Sequence, residues 1–376
     1  MSPLKEIIIE RIKREGPISF EAFMEMALYY PGLGYYTKDL AAIGREGDFY
    51  TSPHLHRIFG AMLGRQMEEM WMALGFPETF RVVELGAGMG YLARDMLQYV
   101  ASLQFGPHSS GFFDSLEYTI VEPGAGFKKE QHELLSQFLS KVTWVSSLSD
   151  LVPVTGCFLS NELLDAFPVK MVEKNNTLHE IFVSAREEEL VEMKMPCGQE
   201  VREYFTELGI ELPEGYRTEV NLKVRDWIAK VSEKLKEGFV VTVDYGYPAW
   251  DYYSEERNRG TMLCYYRHQV NANPYLNIGE QDITAHVNFS SLKRWGEERG
   301  LKAGGFCGQG AYLVSLGIDE VIELYSDISD PFEIAKIKGL ILPEGMGESH
   351  KVMIQHRGPG NLKLRGFALR NHWGKL

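Results

Sequence analysis

The sequence predicts an α/β fold built on an open, Rossmann-like parallel sheet, with an N-terminal helical and loop region serving as a lid and with inserted subdomains. Two observations carry this. Short runs rich in Val, Ile, Phe and Tyr alternate with helical stretches, the pattern of a parallel sheet covered on both faces. The first run, Arg81-Val82-Val83-Glu84-Leu85, feeds a turn with glycines at every second position, Gly86, Gly88 and Gly90, and then a helical stretch from Tyr91 to Val100. A strand leading through a glycine turn into a helix is how open α/β sheets approach a nucleotide-like ligand.

The elements follow in order. Residues 4–14 and 19–29 read as helices broken at Gly16-Pro17, with Ser19 as an N-cap before an apolar-periodic segment. An aromatic, glycine-rich loop runs from Tyr29 to Pro53, and a helix is expected over 56–74. Strands are expected at 81–85, 117–122, 142–145, 156–160 and 238–245, with a late strand at 351–356 as a candidate antiparallel addition at the sheet edge. Too many residues separate the fourth and fifth strands for one crossover helix. A hairpin turning at Asn175-Asn176 is expected over 168–183, and 247–284, dense in Tyr, Asn and Gly, reads as a second insertion. The expected organisation is 1–79 as N-terminal helices and lid loop, 80–183 as the first part of the ligand-binding core, 184–236 as an inserted, mainly helical subdomain, and 237–376 as completion of the core. The basic tail from Lys363 is expected to be poorly anchored.

Composition narrows the class. A chain of 376 residues with 44% apolar and 24% charged residues is ordinary for a globular protein with a substantial core. A net charge of −13 argues against non-specific binding to nucleic acid or an anionic membrane and is compatible with a basic protein partner. Cys157, Cys197, Cys264 and Cys307 are scattered, so neither a metal site nor a disulfide framework is expected. His54 and His56 lack companions with metal-ligand spacing. No run approaches a membrane span, and the start of the chain has neither an apolar signal core nor an Arg-rich transit composition, so a cytoplasmic location is expected. The pattern specifies no oligomeric state.

The chemistry-bearing residues sit at expected strand ends. Tyr91 occupies the position where a dinucleotide fingerprint needs a small residue, and Glu84 beside the turn would repel a pyrophosphate while suiting an ammonium and a sulfonium. Gly86, Gly88 and Gly90 with Glu84 therefore read as a site for S-adenosylmethionine, with another Rossmann ligand or a structural turn as alternatives. Glu122, ending the second strand, can accept hydrogen bonds from both ribose hydroxyls, or can be a solvated acid. Asn161 and Glu162 emerge at the end of the fourth strand, with Asp165 one helical turn further on. Two carboxylates at that spacing can grip a guanidinium, or can decorate a helix N-terminus. Asp244 ends the fifth strand as either a site or a structural acid. His268 and His286 are candidates for acid/base or substrate-orienting work, against the plainer reading of satisfied hydrogen-bonding residues.

Four blocks in this order, Gly47-Asp48-Phe49-Tyr50-Thr51-Ser52-Pro53, Glu84 to Gly90, Ser160-Asn161-Glu162-Leu163-Leu164-Asp165-Ala166 and Asp282-Ile283-Thr284-Ala285-His286-Val287, resemble the MidA-like family of bacterial and mitochondrial S-adenosylmethionine-dependent methyltransferases. The resemblance spans residues 4–357. It implies that Gly86, Gly88 and Glu122 contact the cofactor and that Thr51, Ser52 and Pro53 close over it. Asn161 and Glu162 would then face the transferred methyl. It further implies a protein substrate with a target arginine, by analogy with symmetric dimethylation of a respiratory complex I subunit during assembly. Better-known arginine methyltransferases grip the guanidinium with two glutamates in one loop, whereas this chain offers Glu162 with Asp165. The alternatives are methylation of a small molecule, a nicotinamide-dependent oxidoreductase, disfavoured by Glu84 and Tyr91, and a cofactor-binding assembly or scaffold protein without catalysis.

Overall fold

A computed structural model describes residues 2–38, 51–104, 110–325, 329–358, 360 and 362–376. Residues 39–50 of the loop expected to act as a lid lie outside the described residues, and with them Gly47 to Tyr50 of the first family block. The chain divides into two compact units. One comprises Met1–Phe49, Leu164–Asp226 and Tyr247–Leu292, the other Tyr50–Leu163, Trp227–Gly246 and Lys293–Leu376. The dividing points do not coincide with the expected boundaries at 79 and 183.

In the first unit, helices Pro3–Glu15 and Phe20–Tyr29 begin where local chemistry dictates. The Ser2 and Ser19 side chains accept from the backbone N–H groups of Lys5 and Ala22, and Gly16 ends the first helix at φ +87°. The hairpin Lys170–Asn175/Thr177–Arg186 turns at Asn176, whose φ is +55°. Strands Glu189–Pro196 and Arg217–Val220 pair with its two arms, so the segment expected to be mainly helical carries strands as well as the helices Gln199–Leu208 and Lys223–Lys234. The strand Glu189–Pro196 was illegible because it is an edge strand, almost wholly exposed, with no buried face to impose apolar alternation. Residues of the second insertion form a small sheet, Leu263–Tyr266, Gln269–Asn271 and Asp282–Thr284. Leu4, Ile8, Phe20, Phe23, Met171 and Ile181 lie in this unit's core.

The second unit carries the parallel sheet: β1 (Phe80–Leu85), β2 (Leu116–Val121), β3 (Val142–Val145), β4 (Val154–Asn161), β5 (Leu235–Tyr247), β6 (Lys302–Gly308) and β7 (His350–Arg357). Their order is β6-β7-β5-β4-β1-β2-β3. The strands from β3 to β5 are parallel, and β7 runs antiparallel to both β5 and β6. The late strand is thus internal, between β5 and β6, and not at the edge. Its run Val352-Met353-Ile354, buried throughout, fits a central strand covered on both faces. The tail is also anchored. Leu364 and Phe367 are buried, and a Cβ on Gly305 would fall 2.2 Å from the Phe367 ring, so two apolar residues pin a segment whose basic composition suggested otherwise.

Candidate active site

The carboxyl ends of β1, β2, β4 and β5 share one edge of the second unit, and the site is assembled there. After β1, Gly86, Gly88 and Gly90 have φ of +74°, +50° and +86°, left-handed values that glycine adopts without the Cβ penalty. The tightest is Gly86, where a Cβ would meet Leu163 Cδ1 at 2.9 Å. Gly88 instead faces open space, with nothing within 4 Å of a built Cβ. Bare backbone on an open face is what a closely approaching ligand requires. Gly90 then caps the helix Tyr91–Ser102.

Glu122 follows β2 and is held from two directions. The Gly124 N–H donates to Oε1 at 2.7 Å, and Gln131 Nε2 donates to Oε2 at 3.2 Å. Burial pushes its pKa up, against these two hydrogen bonds. Gln131, on the helix Ala125–Leu134, is itself fully buried and donates to the Gly88 carbonyl at 2.7 Å. Its Oε1 accepts from the Trp144 indole N–H at 2.9 Å. One amide thereby ties the glycine turn to the acid that ends the neighbouring strand.

Glu84 lies in the core beneath the turn. It is 2% exposed and accepts from the Tyr118 hydroxyl at 2.8 Å, and burial raises its carboxyl pKa to about 7. The sequence reading placed a full negative charge beside the ligand here. Burial, opposed by the Tyr118 hydrogen bond, makes it instead a partly neutral group buttressing β1 against β2.

Asn161 and Glu162 stand where the sequence expected them, at the end of β4. Glu162 has a φ of +49°, a left-handed conformation that strains a residue with a Cβ by about 1–2 kcal/mol. The backbone around it is held on both sides. Its N–H donates to the Val243 carbonyl at 2.9 Å, and the Leu163 N–H donates to Asp244 Oδ2 at 3.2 Å. Asp244, fully buried, also accepts from the Tyr245 N–H and so fixes the chain leaving β4. The Glu162 side chain is 5% exposed. Its Oε1 accepts from the Ser52 N–H at 3.2 Å and from Asn161 Nδ2 at 3.4 Å, and His350 Nε2 lies 3.4 Å away. None of these groups addresses Oε2. The amide orientation that lets Asn161 donate to the carboxylate leaves its Oδ1 buried with no donor among the described residues.

Thr51, Ser52 and Pro53 open the short helix Ser52–Leu55. Ser52 is fully buried, and its hydroxyl donates to Gln309 Oε1 at 3.1 Å, so it reaches the site through its backbone N–H. Thr51 Oγ1 shares a hydrogen bond with His54 Nδ1, and burial lowers the His54 pKa. His56 Nδ1 accepts from the Ile58 N–H, which directs its Nε2–H to Glu333 at 2.9 Å. Among the described residues no group of three or more His, Cys, Asp or Glu side chains is placed to hold a metal ion.

Asp165 and His286 belong to the first unit. The helical turn expected to align Asp165 with Glu162 is absent, since residues 162–169 form no helix. Glu162, at a left-handed φ of +49°, cannot itself be part of a right-handed helix that carries its side chain onto one face with Asp165. The Asp165 carbonyl accepts from the Ala285 N–H, and its carboxylate, with that of Asp282, adds to burial in raising the Tyr29 pKa. The His286 N–H donates to Thr261 Oγ1 at 3.0 Å, and its ring packs edge-on against Tyr247. His268 occupies a two-residue hairpin turn with Arg267, both at positive φ.

Sequence reasoning missed Gln131 and His350. Gln131 carried one usable signal, a polar residue on the inner face of a helix following the second strand. His350 carried none, because the neighbours of β7 are not local in sequence.

The strand order, with its antiparallel seventh strand and the glycine turn after β1, defines the methyltransferase class of α/β sheet. A family model described as "Putative S-adenosyl-L-methionine-dependent methyltransferase" matches residues 62–307, and the chain belongs to that family. A Burkholderia thailandensis protein whose crystal structure contains S-adenosyl-homocysteine is 32% identical, with a TM-score of 0.90 over 99% of this chain and 96% of that one. Zebrafish (Danio rerio) "Protein arginine methyltransferase NDUFAF7, mitochondrial" is 27% identical over 91% of this chain and 84% of its own length. The human protein of that name is 26% identical over 93% and 82%. S-adenosylmethionine is the cofactor, and the open backbone at Gly88 and the carboxylate of Glu122 fit it.

Proposed function

We propose that the protein transfers a methyl group to an arginine side chain of a protein substrate. S-adenosylmethionine, when bound, supplies an electrophilic methyl on a positively charged sulfur. The chain's own groups position the partners and exclude water. In this reading Gly86, Gly88 and Gly90 let the backbone approach the cofactor, and Glu122, held by Gly124 and Gln131, accepts from its ribose hydroxyls. Thr51 and Pro53, on either side of Ser52, cover it.

The observation that carries the arginine reading is the pairing of Asn161 Oδ1 with Glu162 Oε2. These are two acceptor oxygens at one strand end, neither taken by a donor of the described residues. Such a pair suits an acceptor that presents several N–H groups and a positive charge, as a guanidinium does. Glu162 Oε2 orients the nitrogen and receives its proton as the new N–C bond forms. The names of the zebrafish and human relatives, both protein arginine methyltransferases, support this substrate class. The narrower form, symmetric dimethylation of a respiratory complex I subunit, rests on the family resemblance.

Glu162→Gln tests the role. Methyl transfer should fall by about 10²–10⁴-fold while affinity for S-adenosylmethionine stays within a few-fold; an unchanged rate would remove Glu162 from the mechanism. Mass spectrometry of cells with and without the gene tests the substrate, and an arginine methylome identical in both would overturn the arginine reading.

A further inference from the structure

We propose that His350 is a positioning residue for the methyl transfer, the third donor that fixes Glu162 Oε1 and thereby presents Oε2 to the methyl acceptor. This rests on the role given to Glu162 above.

The topology makes the encounter. Because β7 is antiparallel, its first residue lies at the edge where the parallel strands end, and its register puts His350 directly opposite Tyr245 of β5. The His350 side chain is completely buried, and its ring packs against the Tyr245 ring at 4.0 Å, which restricts its rotation. Nδ1 lies 3.2 Å from Ser349 Oγ. Nε2 has no hydrogen-bond partner in good geometry, and a carboxylate oxygen stands 3.4 Å from it. A buried ring nitrogen without a partner is costly, so a role for this nitrogen is expected. The negative charge of Glu162 selects the tautomer that carries the proton on Nε2; Nδ1 is then an acceptor, and the single Ser349 hydroxyl proton turns to it from the Gly345 carbonyl, 3.3 Å from the same oxygen.

The carboxylate is then asymmetric. Oε1 receives the Ser52 N–H and the Asn161 amide and is faced by the imidazole N–H at 3.4 Å, groups from three separate chain segments. Oε2 receives none of them. A carboxylate clamped at one oxygen cannot rotate, so the other oxygen keeps one position relative to the acceptor nitrogen. Loss of the clamp should affect the rate of transfer more than cofactor binding, because misplacing a reacting group by an ångström costs on the order of 100-fold.

The test compares His350→Gln, His350→Asn and His350→Leu with Glu162→Gln. The acceptor is total protein extract from cells lacking the gene, and label is transferred from methyl-labelled S-adenosylmethionine. Gln can place an amide N–H near the Nε2 position, whereas the shorter Asn cannot. His350→Leu and His350→Asn should lose about 100-fold in rate at saturating cofactor, with the cofactor KM within a few-fold, and His350→Gln should recover to within about 10-fold of the parent. Nitrogen-15 spectra of histidine-labelled protein should show the Nε2–H tautomer at His350, and Glu162→Leu should shift that signal. A His350→Leu protein of parental rate, or a folded His350→Gln protein as slow as His350→Leu, overturns the proposal. A slow Glu162→Gln with a fast His350→Leu defeats the His350 role alone, whereas a fast Glu162→Gln defeats the reading beneath it. Should the Leu variant not fold, the Gln–Asn contrast and the spectra decide.

Discussion

Gln131 donates to Glu122 Oε2 at 3.2 Å, and through the same Nε2 to the Gly88 carbonyl at 2.7 Å. The acid after β2 and the turn after β1 are therefore one hydrogen-bonded unit. Gln131→Leu would remove donors from Glu122 and Gly88 and an acceptor from Trp144, at about 1–3 kcal/mol for each buried group left alone. A lowered melting temperature and roughly tenfold weaker cofactor binding are expected, read by calorimetry. Parental affinity in a folded Gln131→Leu protein would show that this amide does not shape the site.

The glycines of the turn should respond differently to alanine. Both Gly86→Ala and Gly88→Ala carry the left-handed penalty of about 1–2 kcal/mol. At Gly86 the new methyl also meets Leu163 at 2.9 Å, whereas at Gly88 it enters open space. In urea titrations Gly86→Ala should be the less stable. Gly88→Ala should fold but bind S-adenosylmethionine more weakly, because its methyl occupies the open face of the turn. Equal stabilities with parental affinity at Gly88 would contradict both statements.

Glu84 makes stability depend on pH. Its folded-state pKa is raised to about 7 from an unfolded value of 4.5, so the folded state holds the proton more tightly. The stabilisation is fully present below pH 4.5 and is lost as pH rises through 7, an effect of about 3 kcal/mol at most. Glu84→Gln removes this group's titration. The stability difference between parent and variant should therefore shift steadily against the parent between pH 4.5 and 7; a difference constant across that range would show that Glu84 is not buried as a neutral acid.

Much of the sheet was legible because its signals are local. Val82-Val83 before a glycine turn, Tyr118 to Ile120 just ahead of Glu122, and Phe239 to Val243 before Asp244 are buried runs with their punctuation close by. The helix starts at Ser2 and Ser19 are equally local, since a cap and the N–H it accepts from are three residues apart. The exposed strand Glu189–Pro196 was not legible, and neither was the tail's anchoring through Phe367, because each depends on a distant partner.

By itself the sequence determined the class of sheet, the glycine turn with its cofactor, and the strand-end positions of Glu122, Asn161 and Glu162. All of these follow from residues within a few positions of one another. The tertiary structure decided how those groups are held: Glu84 buried beside Tyr118 with its pKa raised by that burial, Gln131 bridging turn and acid, no helix to bring Asp165 onto the face of Glu162, and His350 beside Glu162. Each depends on the lateral order and direction of strands far apart in the chain. Strand pairing is specified by the burial of whole faces, so no local pattern records which side chains it brings together.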